Sequence, residues 1–168
     1  MNDGLVDAFR HNAWATRELL AVCAGLTPDQ LATGLIGTQG TISEMLWHTV
    51  SSDASYCRRL TGKEPSFDRR TDDPPSVAAM SAYNDELEGR WLAFLATPFD
   101  AERTFVIPWD DGVDRDVPAG VILAQALHHA NEHRSQVATI LTQIGVTPPE
   151  WGVWEFAAAT GRAPVHRG

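Results

Sequence analysis

Four segments of the chain repeat apolar residues at three- and four-residue intervals, the spacing that places them on one face of an α-helix. These segments cover about residues 5–24, 41–61, 76–96 and 119–144, with proline and glycine residues between them. The chain has 168 residues, enough for one domain but too few for two ordinary ones. The pattern predicts an all-α four-helix bundle as a single domain over residues 1–160, followed by a loose tail at 161–168.

Local signals place the ends of these segments. Thr41-Ile42-Ser43-Glu44 has the form of a capping box and predicts that the second helix begins there, while Gly62 predicts its end. Residues 65–75 are polar and proline-rich, which is typical of a surface loop. Residues 104–107 and 113–117 flank a turn at Asp110-Asp111-Gly112 and predict a small peripheral β-hairpin between the third and fourth helices. Residues 148–159 predict a short closing helix.

Composition and charge exclude several classes of protein. No apolar run approaches the roughly 20 residues of a membrane helix, so we expect a soluble protein that does not act at a membrane. The net charge of −9 repels phosphate backbones, and this argues against a nucleic-acid partner. The N-terminus lacks the basic and apolar regions of a secretory signal, and Cys23 and Cys57 do not form a disulfide framework. We therefore expect a cytoplasmic protein whose cysteines serve packing.

The fourth helical segment carries the strongest chemical signal. His129 and His133 are four residues apart and lie on the same face as the apolar residues of this helix. Two imidazoles one turn apart can bind one divalent cation, whereas the simpler alternative is a pair of hydrogen-bonded core histidines. An imidazole without a partner is costly to bury, so either interpretation requires a partner for both rings. His128 points nearly the opposite way and is predicted to be solvated.

The same residues match the H-x-x-E-H arrangement of one metalloprotease class, with Glu132 as the base. Those enzymes need a further carboxylate ligand well downstream, and only Glu150 and Glu155 remain before the chain ends. Glu132 also lies about 100° from His133 around the helix, toward solvent. We therefore do not favour a protease.

Three blocks of sequence resemble one known family. They are residues 9–15 in the first helix, 42–48 in the second and 129–136 in the fourth, and the last is the most specific. Over nearly its whole length the sequence resembles the DinB-like (DinB/YfiT-like) proteins. The resemblance implies an up-down-down-up four-helix bundle, a homodimer, and a divalent metal, often nickel or zinc, bound by three histidines. By this resemblance the ligands are His48, His129 and His133.

The second helix alone does not single out His48. On the helical wheel it lies with Glu44, Ser52 and Ser55, apart from the apolar stripe, and is predicted to be exposed. A metal site in a cleft at the edge of the bundle, with Ser52 and Ser55 along its access path, would reconcile this position with a ligand role.

Related families with this fold transfer or isomerise groups with a low-molecular-weight thiol, so the resemblance implies a divalent-metal-dependent enzyme that acts on a small molecule. A thiol S-transferase is the first expectation. The alternatives are a metal-dependent hydrolase and a non-catalytic, stress-associated metal-binding protein in which Glu44 completes the metal shell. Lys63 is the single lysine, and this arginine bias is usual in GC-rich genomes such as those of actinobacteria. It makes mycothiol the first thiol to test, ahead of bacillithiol and glutathione.

Overall fold

The computed structural model describes residues 3–109 and 111–165, and this part of the chain is mostly helical. In chain order the elements are α1 (Asp3–Cys23), α2 (Pro28–Leu31), α3 (Ile42–Thr61), α4 (Val77–Leu95), β1 (Thr104–Pro108), β2 (Asp114–Pro118), α5 (Ala119–Gln143) and α6 (Val153–Ala159). The strands pair antiparallel, with Thr104 opposite Pro118 and Pro108 opposite Asp114. The predicted hairpin between the third and fourth long helices is therefore confirmed, although Asp110 of its turn lies outside the described residues.

The long helices pack on one another through their apolar faces. Helix α1 lies against α4 and α5, and α3 lies against the same two helices. The apolar residues of α3, Met45, Leu46 and Cys57 among them, are buried. Strand β2 contacts α5, which sets the hairpin at the edge of the helical core. This packing brings α3 and α5, the two helices that carry the histidines of interest, into direct contact.

Side-chain caps explain where α3 begins and ends. Thr41 Oγ1 accepts a hydrogen bond from the backbone N–H of Glu44, and the Glu44 carboxylate accepts one from the backbone N–H of Thr41. Gly62 ends the helix with a φ of 70°, a left-handed conformation that suits a residue without a Cβ atom. The predicted capping box and glycine stop are both confirmed.

Two local features differ from the sequence prediction. The connection after α1 contains the one-turn helix α2, which Thr27 caps through a second capping box with Gln30. The closing helix is shorter than predicted and begins only at Val153, because the backbone is still extended at Gly152, the residue that precedes the helix.

The predicted loose tail is described only as far as residue 165. Within it, Arg162 Nη2 donates to the Asp7 carboxylate over 2.7 Å, which ties this segment to α1.

Candidate metal centre

Three imidazoles converge between α3 and α5. The Nε2 atom of His129 lies 3.1 Å from Nε2 of His48 and 3.2 Å from Nε2 of His133. Ligand atoms from all three residues lie within 4.8 Å of one another. The structure therefore brings together the three residues that the family resemblance indicated.

The two helices contribute differently to this cluster. His129 and His133 are one turn apart on α5, so their side chains lie one above the other. His133 is 2% exposed and His129 is half-buried, as expected for residues on the apolar face. His48 is exposed, as its helical wheel predicted, and reaches the cluster from the rim of the α3–α5 interface. The cluster thus lies at the edge of the helical core and opens toward solvent.

The spacing of the nitrogens fits a divalent cation. A zinc–nitrogen bond of about 2.0–2.1 Å places two ligands of one ion about 2.9 Å apart at 90° and about 3.4 Å apart at a tetrahedral angle. The two shorter separations in the cluster fall between these limits. Within the described residues no carboxylate or thiol joins the three imidazoles, so they could bind a metal ion and leave positions for other ligands.

The local environment keeps the three rings neutral. Burial, followed by the neighbouring histidines, lowers the pKa of His129 to about 4. Burial likewise lowers the pKa of His48 and of His133. A neutral imidazole has a lone pair to offer a metal, whereas an imidazolium does not. The cluster is therefore in a ligand-competent protonation state at neutral pH.

Two clefts border the cluster. A polar cleft of about 540 Å³ includes His48, Glu44 and Ser51 together with residues of the loop after α3. A cleft of about 730 Å³ lies between α3, the hairpin and the start of α5. Tyr56 lines this second cleft, and its ring meets the ring of His129 edge-on with centroids 5.8 Å apart. The polar cleft thus gives small molecules access to His48, whereas the second cleft is lined by Tyr56 and by none of the three histidines.

The access path differs from the predicted one. Ser51 lines the polar cleft beside His48, whereas the Ser55 hydroxyl accepts a hydrogen bond from Arg69 at 3.0 Å. Ser52 is not among the residues that line this cleft.

Other candidate residues take structural or solvent-facing positions. The carboxylate of Glu44 accepts hydrogen bonds from the backbone N–H and the hydroxyl of Thr41, at 2.8 and 2.9 Å. Cys23 and Cys57 are buried free thiols, as predicted. His128 is exposed, also as predicted.

Sequence reasoning missed a buried polar contact beside the cluster. Arg134, the residue after His133, is 2% exposed, and its Nη1 atom donates to Oδ1 of Asn12 at 2.8 Å and to Oγ1 of Thr16 at 2.9 Å. The available signal was the pair of polar residues Asn12 and Thr16, one turn apart in a helix whose inner positions are otherwise apolar. This contact holds the histidine-bearing helix α5 on α1.

Comparisons with known proteins agree with this architecture. The model of the DinB family matches residues 1–163. An uncharacterized protein, YrdA, of Bacillus subtilis (strain 168) is 22% identical over 155 residues, which cover 88% of this chain and 85% of YrdA. The crystal structure of a DinB-like protein from Bacillus cereus ATCC 10987 superposes with a TM-score of 0.68 at 20% identity, covering 89% of this chain and 96% of that one. Within the described residues, no helix is long and apolar enough to cross a membrane.

Proposed function

Because the chain belongs to the DinB family, we propose that it is a divalent-metal-dependent enzyme that transfers a low-molecular-weight thiol to a small electrophile. The observation that carries this proposal is the cluster of His48, His129 and His133, in which His48 is exposed and lines a polar cleft. Structural zinc sites are normally closed by four protein ligands, whereas catalytic sites keep a position free. The polar cleft at His48 and the second cleft, on the far side of Tyr56, offer room for two substrates near the cluster.

The three histidines would hold the ion, with nickel or zinc as the first candidates. When bound, the ion supplies Lewis-acid chemistry, since three neutral ligands leave its charge uncompensated and it lowers the pKa of a coordinated thiol or water. A free thiol has a pKa of about 8.5 and is mostly protonated at neutral pH. Cys23 and Cys57 are buried away from the cluster, so the sulfur must come from an external thiol.

We assign the two substrates to separate clefts. The polar cleft beside His48 suits a hydrophilic thiol, and the cleft beside Tyr56 suits a less polar electrophile. In the reaction the thiol sulfur forms a bond to an electrophilic carbon. The bond from that carbon to its leaving group breaks, the leaving group keeps the electron pair, and the thiol proton passes to solvent.

The decisive experiment mixes metal-loaded protein with mycothiol, bacillithiol or glutathione and a panel of electrophiles, and follows conjugates by mass spectrometry. Conjugation should require metal and disappear in His133→Ala, while His128→Ala should retain it. Hydrolysis of an ester or amide panel without conjugation would replace the transferase by a metal-dependent hydrolase. If metal raises the stability of the protein but neither reaction occurs, the result would favour the non-catalytic, stress-associated metal-binding protein.

Finer features implied by the family stay predictions. We infer an up-down-down-up order for the long helices, a cytoplasmic location and a homodimer. Aromatic residues are enriched at interfaces, and Trp154 on α6 is 81% exposed, whereas Trp47 and Trp91 are buried in the core. Light scattering at micromolar concentration should give the mass of a dimer, and a monomer mass would contradict it.

A further inference from the structure

The cleft beside Tyr56 has the size and composition of a ligand pocket. Its volume of about 730 Å³ lies within the range of small-molecule sites, roughly 300–1,000 Å³. Its walls come from α3, from both strands of the hairpin and from the first turns of α5. Trp109 and Val121 on these walls are 51% and 54% exposed. Large apolar side chains exposed around one concavity favour an apolar occupant, because binding removes their surface from water.

One cation in this cleft, Arg59, forms no ion pair with any other residue that the structure describes. Arg59 is half-buried, and within the described residues no carboxylate bonds to its guanidinium. Two nearby acidic residues among the described ones are engaged elsewhere. The carboxylate oxygens of Glu64 lie 3.6 Å from Nε of Arg58 and 3.5 Å from Nε of Arg69. Oδ2 of Asp111 lies 2.6 Å from Nη2 of Arg115. Burial, followed by repulsion from Arg58 and Arg69, lowers the pKa of Arg59. An anion bound at Arg59 would relieve this excess of positive charge.

The cleft also lies close to the imidazole cluster. Tyr56 separates the two spaces, and its ring lies 5.8 Å from that of His129, centroid to centroid. Gln125 lines the cleft one helical turn before His129 on the same face of α5. A molecule in the cleft can therefore reach Tyr56, the neighbour of His129, with its other parts along the hairpin.

We propose that this cleft binds an amphipathic organic acid, with its carboxylate on Arg59 and its apolar body against Trp109 and Val121. The binding of the acid does not depend on the proposed function. Only the further step, that the acid is the electrophilic substrate of the thiol transfer, rests on it. Both the charge and the apolar surface are present without a metal, so binding can be measured separately from catalysis.

The test compares 4-phenylbutyrate with its uncharged analogue 4-phenylbutanol by calorimetry. Wild-type protein should bind the acid about tenfold more tightly than the alcohol, as expected for a charge-assisted hydrogen bond in a partly buried site. Arg59→Gln should bring the two affinities within about twofold, and Arg59→Lys should keep a preference for the acid. Arg10→Gln removes the same charge from an exposed position on α1 and should change neither affinity. Trp109→Ala should weaken the binding of both ligands.

Equal affinity for acid and alcohol in the wild type, or an acid preference that survives in Arg59→Gln, would overturn the assignment. Circular dichroism melting checks that each variant is folded. His133→Ala, tested without metal, should bind the acid within about twofold of wild type, because the cleft residues are not metal ligands. Absence of thiol conjugation by the wild-type protein, with its acid preference intact, would reject the proposed function alone. Conjugation by a wild-type protein without an acid preference would reject the cleft assignment alone.

Discussion

The Nε2 atoms of His48 and His129 lie 3.1 Å apart although the residues are 81 positions apart in the chain. Only the packing of α3 on α5 brings these two atoms together, because neither helix carries all three histidines. Any ion bound there would crosslink these two helices. Metal binding and stability should therefore be coupled.

The first prediction is that protein purified without an affinity tag contains near-stoichiometric nickel or zinc. His129→Ala and His133→Ala should each lose it, and a chelator should lower the melting temperature of the wild type but not of these variants. Ligand at 100 times its Kd stabilises a folded protein by about 2.7 kcal/mol. His128→Ala, one position away on the exposed side of α5, is the matched control and should retain the metal. Unchanged metal content in both ligand variants would reject the site.

The second prediction separates Glu44 from the metal. Its carboxylate accepts hydrogen bonds from the backbone N–H and the hydroxyl of Thr41 as part of the cap of α3. Glu44→Ala should therefore lower the free energy of unfolding by about 1 kcal/mol, the usual cost of a lost cap, and should retain the metal. Elemental analysis and urea denaturation measure both effects, with Thr41→Ala as a cap variant that has no ligand group. Release of metal from Glu44→Ala would support the closed, non-catalytic site instead.

The helices were predictable because their signals are local. Apolar periodicity marks α3 and α5, and Thr41 and Gly62 mark the ends of α3 through hydrogen bonds and a backbone conformation that depend on neighbouring residues alone. The one-turn helix α2 was missed because four residues are too few to show a period. Its capping box, Thr27 with Gln30, was the available signal.

The site was predictable only in part, because it also depends on tertiary contacts between residues that are distant in the chain. His129 and His133 share a helix, so their spacing alone indicates a common ligand. His48 is exposed on its own helix, and only family resemblance connected it with the other two. Arg59 and Trp109 also lie on different elements, and their meeting in one cleft depends on how the hairpin packs on α3 and α5. No spacing within the chain encodes that arrangement.

The third prediction concerns the buried guanidinium of Arg134. Burial lowers its pKa to about 10, and Asn12 and Thr16 supply its hydrogen-bond acceptors. Asn12→Ala should lower the free energy of unfolding by about 2–3 kcal/mol, because it leaves a buried charged group short of an acceptor. Asn131→Ala removes an exposed amide from α5 and should change stability by no more than about 0.5 kcal/mol.

A double variant tests the cause of that loss. Arg134→Met removes the charge and keeps an apolar side chain of similar length, so Asn12→Ala should cost less in this background than in the wild type. Equal costs in the two backgrounds would mean that Asn12 stabilises the fold without serving Arg134.

The fourth prediction follows from Asp53 on α3, whose Oδ1 atom accepts a hydrogen bond from Trp91 Nε1 at 3.0 Å. Burial raises the pKa of this carboxyl to about 7, although the Trp91 hydrogen bond and the charge of Arg134 oppose the shift. Between its ordinary value of 3.8 and about 7 the folded state binds more protons than the unfolded state. The contribution of Asp53 to stability is therefore fully present below pH 3.8 and is lost as the pH rises through about 7.

Asp53→Asn isolates this effect, because the amide oxygen can still accept from Trp91 but the side chain cannot ionise. We expect the variant to gain stability relative to wild type between about pH 5 and pH 8, measured as the difference in free energy of unfolding from urea titrations. Titration of the histidines occurs in both proteins and largely cancels in this difference. Asp114→Asn is the control at an exposed position on β2. Its difference from wild type in free energy of unfolding should be the same at about pH 5 and pH 8. A pH-independent difference for Asp53→Asn would show that this carboxyl is ionised throughout the range, stabilised by Arg134 despite its burial.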